Sequence, residues 1–570
     1  MTRIVLDPVT RVGGHLRVEA EITDGAVTDA WVSGTTVRGL ESVLPGRDAR
    51  DAWLLAQRVC GTDGIAHAIA CLRAIERALD LPIPPNARLV RNLLAGSAHV
   101  MNATAGFYRA QALDWMDLEA ALTADPIAAA SLAATISDQP AAPATFADAQ
   151  NRLAAILRGP QPGIFASPLG GHPAYQLPPA ADLMIATHLL QSFDWHREMA
   201  RIHVILGGKS PHPQTFLLGG VSVVPEWRGP IAEPLGGHQW GLEAASPASL
   251  SPVSLTTIAT LLSQMQAFVT GAYLPDVRTI AAAYRDWGTR GRGRGHYLAF
   301  GDLPTNDATD DPTLLLPRGR IMDRDLASLI EVDQSGVAES VEHAWYRSGG
   351  EDDGALLHPW DERTLLREGP ATPITSLADE RRYSWVRSPR YEDDPMEVGP
   401  LARLLVASAA GDDTVSTALS DTVADLGLGA NDLFSTLGRT LARAVEAELV
   451  AGRLSGWLTE LRDSMASGDL AFANIAKWEP ASWPAEAQGW ALGESTQGAV
   501  GHWVTIERGR IATYQIVDAG TWNASPRDTR GRRGAIEEAL VGTPVADPAR
   551  PLEVLRTVRS FDPCLACATH

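Results

Sequence analysis

Cysteine is scarce: four residues in a chain of 570 cannot build a disulfide framework. Long apolar runs are missing as well. No stretch reaches the roughly 18 residues that a spanning helix needs, so no direct membrane insertion is expected. The opening MTRIVLDPVTRVGGHLRVE lacks a basic start followed by an apolar core, so no secretory signal is read from it. Positive charge is in deficit. The formal net charge of −20 argues against a nucleic-acid partner, because phosphate binding needs clustered Lys and Arg. What is present, 45% hydrophobic and 20% charged residues, describes a soluble globular protein with ample core. The length allows three or four ordinary domains or one large interlocked unit.

Alternation of apolar and polar residues over Arg3–Leu6, His15–Ile22 and Ala26–Val32, with turns at Gly13-Gly14 and Asp24-Gly25, predicts a small antiparallel sheet. Helical periodicity predicts helices over Asp51–Cys60, Ile65–Leu79, Ala87–Met116, Pro179–Leu206, Ser251–Val269 and Leu433–Ser464. Two strands, Val500–Glu507 and Arg510–Val517, meet at Arg508-Gly509, and helices Ala535–Val541 and Pro551–Val558 follow. The run GTRGRGRG (Gly288–Gly295) reads as a solvated loop, and the acidic stretch 345–400 as solvated surface. The fold class is α+β, predominantly helical, with small peripheral β-sheets.

The four cysteines are placed informatively. Cys71, in the apolar-periodic HAIACLRAIERAL, reads as plain core. Cys564-Leu-Ala-Cys567 is a CxxC, which could be redox-active, half a zinc site or half a cluster site. Two thiolates three residues apart can chelate one soft divalent metal, and a four-coordinate centre then needs two more donors. The other candidate motif is Cys60-Gly-Thr-Asp63-Gly-Ile-Ala-His67, in which Asp63 stands where a second thiolate of a CxxC would fall. The pooled set is Cys60, Asp63, Cys564 and Cys567. A structural zinc site stapling the two ends of the chain is an open alternative.

RVCGTDGIAHAIACLRAIERAL resembles the first cysteine motif of nickel–iron hydrogenase large subunits, RxCGxCxxxH, and FDPCLACATH resembles the second, DPCxxCxxH. DPVTRVGGHLRVE, RGLESVLPGRDARDAW, GIFASPLGGHPAYQLPP, GGKSPHP, HAWYR, MEVGPLAR, KWEPASWP and TWNASPRD occur in family order. The resemblance covers essentially the whole chain and is strongest to uptake, membrane-associated enzymes. It implies a single large-subunit-like unit: a β-rich segment at 1–50, a helical body at 51–480, and a hairpin, helices and metal motif at 481–570. It also implies that Cys60 and Cys564 are terminal nickel ligands, that Cys567 bridges nickel to iron, and that Asp63 occupies the other bridging position. His67 would hydrogen-bond near a bridging sulfur, and Asp562 would lie beside the site. Glu41 and His570 would build a separate magnesium site, a carboxylate and an imidazole suiting a hard cation. The family's processed chains end at this histidine, so the ending at His570 is read as a matured terminus or as a gene without the extension.

Five departures surround the same centre. Besides Asp63, Gly13 stands where the family has a proton-accepting glutamate. Asn102 replaces an aspartate, and its neighbours Met101, Ala103 and Gly106 replace histidines. Gln497 ends a Ser-Thr-Gln that replaces an Ala-Pro-Arg whose arginine reaches over the metals. Val517-Asp518-Ala519-Gly520 replaces Val-Val-Pro-Ser/Thr, a wall of the cyanide pocket. Losing the arginine removes a fixed positive charge and a fork of donors, while Asp63 and Asp518 add anionic oxygens. The expectation is a rebuilt site that holds an Fe(CN)₂CO unit less well.

Three functions follow. The first is H2 oxidation or production with nickel, Cys564 taking the proton and Asp63 or Asp562 leading it away. The second is another redox step on a Cys₃Asp centre, and the third a non-catalytic maturation or sensor subunit. With three cysteines at the centre, only Cys71 remains, so an iron–sulfur small subunit must carry the electrons. In the family that partner bears the twin-arginine export signal, which leaves a cytoplasmic or a co-exported, membrane-associated location equally open.

Overall fold

The computed structural model describes residues 2–137, 141–166, 169–223, 250–308, 312–348, 354–361, 365–370 and 373–570. Ser167 and Pro168 of the GIFASPLGG motif, and Gly349–Asp353 of the acidic GGEDDG, lie outside them.

Thr2–Leu6, Leu16–Thr23 and Ala26–Gly34 form an antiparallel sheet in chain order, as the alternation predicted. Its apolar face (Ile4, Leu16, Val18, Ala20, Val32) packs on the C-terminal helices Ala535–Leu540 and Leu552–Ser560. The helical body is organised around two long helices, Pro85–Gly106 and Thr436–Ala466, which pack against each other. The expected helix Ala87–Met116 is broken by a π-helical turn, Phe107–Gln111, before Ala112–Trp115, and the expected helix Ser251–Val269 runs on through another, Val269–Tyr273, into Leu274–Ala283. A wider turn of this kind redirects side chains, and the first one lies beside the cavity described below. The helix expected over Asp51–Cys60 is confined to Ala52–Ala56, because Gly61 and the hydrogen bonds that Arg38 makes to successive carbonyls pull the chain out of helix.

The C-terminal hairpin gains a third strand that the sequence pattern did not reveal: Glu486–Ser495 pairs antiparallel with Gly498–Glu507, which pairs with Arg510–Val517. Its glycines conceal it. A Cβ at Gly489 would lie 2.0 Å from the Ala74 carbonyl oxygen, so glycine is what lets helix Gly64–Ala78 lie on this sheet. Two other expectations are corrected. The GTRGRGRG run is half-buried, since Arg439 Nη1 donates to the Gly291 carbonyl at 2.8 Å and Arg324 Nη2 to that of Gly293 at 2.8 Å. Within 345–400, Ser388–Tyr391 is a fully buried strand paired with Val337–Ser340, and Arg387 and Arg390 are core residues.

The two ends of the chain are joined directly. Gly13 pairs in parallel with Cys564, and its carbonyl accepts from Leu565 N at 2.6 Å. Gly14 follows at φ 80°, and a Cβ there would meet Ala566 N at 2.4 Å, so both its conformation and its space require glycine. Asp114, fully buried, accepts from Arg11 near the start and from Arg559 Nη1 at 2.6 Å near the end. Gly14→Ala is therefore expected to undock the N-terminal loop from the cysteine motif. It should lower the apparent Tm and the nickel retained after dialysis, and wild-type values for both would contradict this account of the junction.

Candidate metal centre

Cys60 sits at the exit of a tight turn. Arg38 Nη1 donates to the carbonyls of Val59 at 2.7 Å and Ala566 at 3.0 Å, stapling the two cysteine motifs together. His212 Nε2 donates to the Cys60 carbonyl at 2.8 Å. The Asp63 amide, just before helix Gly64–Ala78, donates to Cys60 Sγ at 3.1 Å. Cys564 precedes the single turn Leu565–Ala568 and Cys567 lies within it, which turns both sulfurs to one side and into contact with each other. The Sγ atoms of Cys60, Cys564 and Cys567 all lie within 4.8 Å of one another, and all three residues are buried. Burial, reinforced by the Asp63 carboxylate, pushes the Cys60 thiol up to about 12. The convergence of the two extremities expected from sequence is present.

Asp63 does not join this cluster. Its Oδ1 accepts from Asn102 Nδ2 at 2.6 Å and from Thr496 Oγ1 at 2.9 Å, while Oδ2 is buried with no hydrogen-bond partner. Burial moves the carboxyl above its ordinary range. Asn102 and Thr496, two of the altered positions, thus act together on a third.

Gly13, Asn102, Gly106, Gln497, Asp562 and Cys564, among others, line a cavity of about 280 Å³. A Cβ at Gly13 would stand 2.9 Å from Cys564 Sγ, so the backbone itself borders the sulfur. Asp562 Oδ2 accepts from Arg443 Nη1 and Gln497 Nε2, each at 3.3 Å.

On the far side of Cys567 lie His67 and Asp518, whose donor atoms form a second group with the Cys567 sulfur, again all within 4.8 Å of one another. His67 Nδ1 meets His502 Nε2 at 3.0 Å, and His502 Nδ1 meets the Tyr514 hydroxyl at 2.7 Å. Burial lowers His67 to about 3, so the ring is neutral. Asp518 caps helix Ala519–Asn523.

Glu41 and His570 are adjacent, Oε1 to Nε2 3.3 Å, as the magnesium expectation requires. A third group has taken the position between them. Arg387 Nη2 lies 3.0 Å from Glu41 Oε1, 2.8 Å from the Ile516 carbonyl and 3.1 Å from His570 Nε2. Its Nη1 reaches Gln515 Oε1 at 3.1 Å and Glu339 Oε2 at 3.0 Å. Magnesium would bind the same oxygen and nitrogen atoms at about 2.0–2.1 Å and so lie against a guanidinium of like charge. Arg387 thus shares the atoms to which the magnesium expectation assigns the ion.

Sequence reasoning missed His502, Tyr514 and Arg387, and it gave Thr496 no role of its own. The available signals were weak: a histidine in the otherwise apolar strand Gly498–Glu507, and arginines within the aromatic run Tyr383–Tyr391.

Residues 38–570 match the family model described as nickel-dependent hydrogenase. The chain is 39% identical over 583 residues to the uptake hydrogenase large subunit of Rhodobacter capsulatus, covering 100% of this chain and 95% of that one. It is also 39% identical over 582 residues to the hydrogenase-1 large chain of Escherichia coli strain K12, with the same coverage. Among solved structures, a NiFeSe hydrogenase variant from Desulfovibrio vulgaris Hildenborough superposes with a TM-score of 0.78 at 28% identity, covering 100% of this chain and 99% of that one. These relatives lend no support to a non-hydrogenase redox enzyme or a non-catalytic subunit. With the two cysteine motifs meeting as they do, the chain belongs to the nickel-dependent hydrogenase family, as a protein of the large-subunit type.

Proposed function

We infer that the three-thiolate pocket is the catalytic centre of a nickel enzyme that oxidises or forms H2, passing electrons to a small subunit that carries iron–sulfur clusters. The observation that carries this reading is the convergence of Cys60, Cys564 and Cys567, from opposite ends of the chain, on one buried point. Three soft donors suit nickel and leave room at the ion for substrate. Bound there, nickel supplies the Lewis acidity and redox capacity for dividing H2 into a proton and a hydride equivalent. The pocket suits an Fe(CN)₂CO unit poorly, because Gln497 is turned to Asp562 and the Ala519-Gly520 pair has no hydroxyl to offer cyanide.

Cys564 is the base. Its sulfur borders the cavity, so a proton taken from H2 is delivered to the cavity side. Gly13 offers no acceptor there. Asp562 lines the same cavity, whereas Asp63 is tied to Asn102 and Thr496. Asp562 is the next proton acceptor, steadied by Arg443 and Gln497. Electrons need a partner chain, because Cys71, the one cysteine outside the centre, is buried and cannot ligate a cluster that usually takes four. Among the described residues no helix is long and apolar enough to cross a membrane.

Three outcomes are expected. Metal-replete heterodimer should reduce dyes with H2 and exchange H for D, and silence in both assays would end the hydrogenase reading. Asp562→Asn should lower the rate about 10²-fold or more, the range lost with a general acid or base, at unchanged nickel content; a wild-type rate would remove Asp562 from the proton path. A Cys60 thiol raised to about 12 is protonated at neutral pH in the metal-free chain, so nickel binding must expel that proton. Affinity should therefore rise up to about tenfold per pH unit for each proton released, and a pH-independent affinity between pH 6 and 9 would refute it.

The buried guanidinium carries its own test. Wild-type protein should contain no tightly held magnesium, and its Tm should not respond to EDTA or added Mg2+. Stoichiometric magnesium surviving dialysis would show that Arg387 does not occupy that place.

A further inference from the structure

Asp518 and Asp63 each keep one buried carboxylate oxygen, Oδ2, without a hydrogen-bond partner. Their settings differ. Asp63 stands apart from the sulfur cluster. Asp518, 1% exposed, belongs with His67 and Cys567 to the second group of converging donor atoms. Helix capping accounts for only half of this carboxylate: Oδ1 accepts from Thr521 N at 2.8 Å and Thr521 Oγ1 at 3.1 Å. Oδ2 takes no part in the cap. His570 Nδ1 stands 3.8 Å from it and is already engaged with the Cys567 carbonyl.

His67 has one nitrogen to spare in the same way. Its Nδ1 is engaged by His502 Nε2, and His502 Nδ1 by the Tyr514 hydroxyl. In the tautomer that carries its hydrogen on Nδ1, His67 Nε2 presents a lone pair. A histidine whose second ring nitrogen is fixed by such a partner is the usual arrangement of a metal ligand. A thiolate, a carboxylate oxygen and an imidazole nitrogen thus meet in one buried place, the donor set of a divalent transition ion. Cys567 is common to both groups.

We propose that Cys567, Asp518 and His67 hold a second divalent transition ion, ferrous iron, joined to nickel through the Cys567 sulfur. This rests on the nickel centre proposed above. Carboxylate and imidazole here do the work that a second bridging thiolate and strong-field diatomic ligands do in the family, so the iron is high-spin. The place of Asp63 in the motif is then explained: it is held back by Asn102 and Thr496 and is not needed as a bridge.

The test uses heterodimer isolated from cells grown on 57Fe, with metal quantification, Mössbauer and infrared spectra. The expected result is about one iron per nickel, a high-spin ferrous Mössbauer doublet, and no infrared bands from bound CO or cyanide. Asp518→Asn keeps an N-cap side chain yet weakens the donor, and His67→Gln removes the imidazole. Each should lower the iron-to-nickel ratio about tenfold or more while nickel stays bound. Low-spin iron with CO and cyanide bands overturns the proposal. So does an unchanged ratio in both variants, or loss of nickel and iron together, which a purely structural role would give. Absent H2 turnover in protein holding both ions would defeat the hydrogenase reading and leave this one standing.

Discussion

Everything at this centre depends on the chain's two extremities being pressed together. Gly13 and Gly14 allow backbone to lie directly on the Cys564 turn, and Asp114 holds Arg11 and Arg559 from either side of the junction. Arg38 then ties the first cysteine turn to the second through the carbonyls of Val59 and Ala566. None of these contacts is strong alone. Neutral hydrogen bonds contribute about 0.5–1.5 kcal/mol each and charge-assisted ones about 1.5–3 kcal/mol. Their value is positional, since three sulfurs can share one ion only if neither end slides.

Behind the centre, ionic groups are buried in sets that satisfy one another. Arg403, fully buried, is bound by Glu446 at 2.6 and 2.7 Å and by Glu494 at 2.7 Å, while His99 meets Glu446 at 2.8 Å. Burial alone would raise the Glu446 carboxyl, but Arg403 and His99 bring it down to about 2. Arg387 has the same character. It gathers two carboxylates, an amide oxygen, a carbonyl and an imidazole, so a side chain supplies the positive charge that an ion would otherwise bring. Such a cluster is costly to break, because a partner left alone keeps its desolvation penalty.

The cysteine motifs, the first sheet and the long helices were legible because each is written in local spacing. The altered positions were legible one by one, as departures from a pattern. Their joint effect was not. That Asn102 and Thr496 restrain Asp63, or that Gly13, Gly106 and Gln497 border one cavity, depends on contacts between residues hundreds of positions apart, which periodicity does not encode. The strand Glu486–Ser495 was hidden by glycines whose reason is the helix lying on them. Arg387 was hidden by its surroundings, an aromatic stretch that reads as loop until the carboxylates it serves are seen.

The distance along the chain between Cys60 and the Cys564/Cys567 pair has a bearing on biosynthesis. A ribosome makes the first ligand some five hundred residues before the last two, and the closing segment emerges after the helical body has had time to fold. Gly13 and Gly14 can meet the Cys564 turn only once it has been made. Closing so long a loop adds little entropy beyond that of a shorter one. The delay is one of timing: the three-sulfur pocket is complete only once the last turn docks.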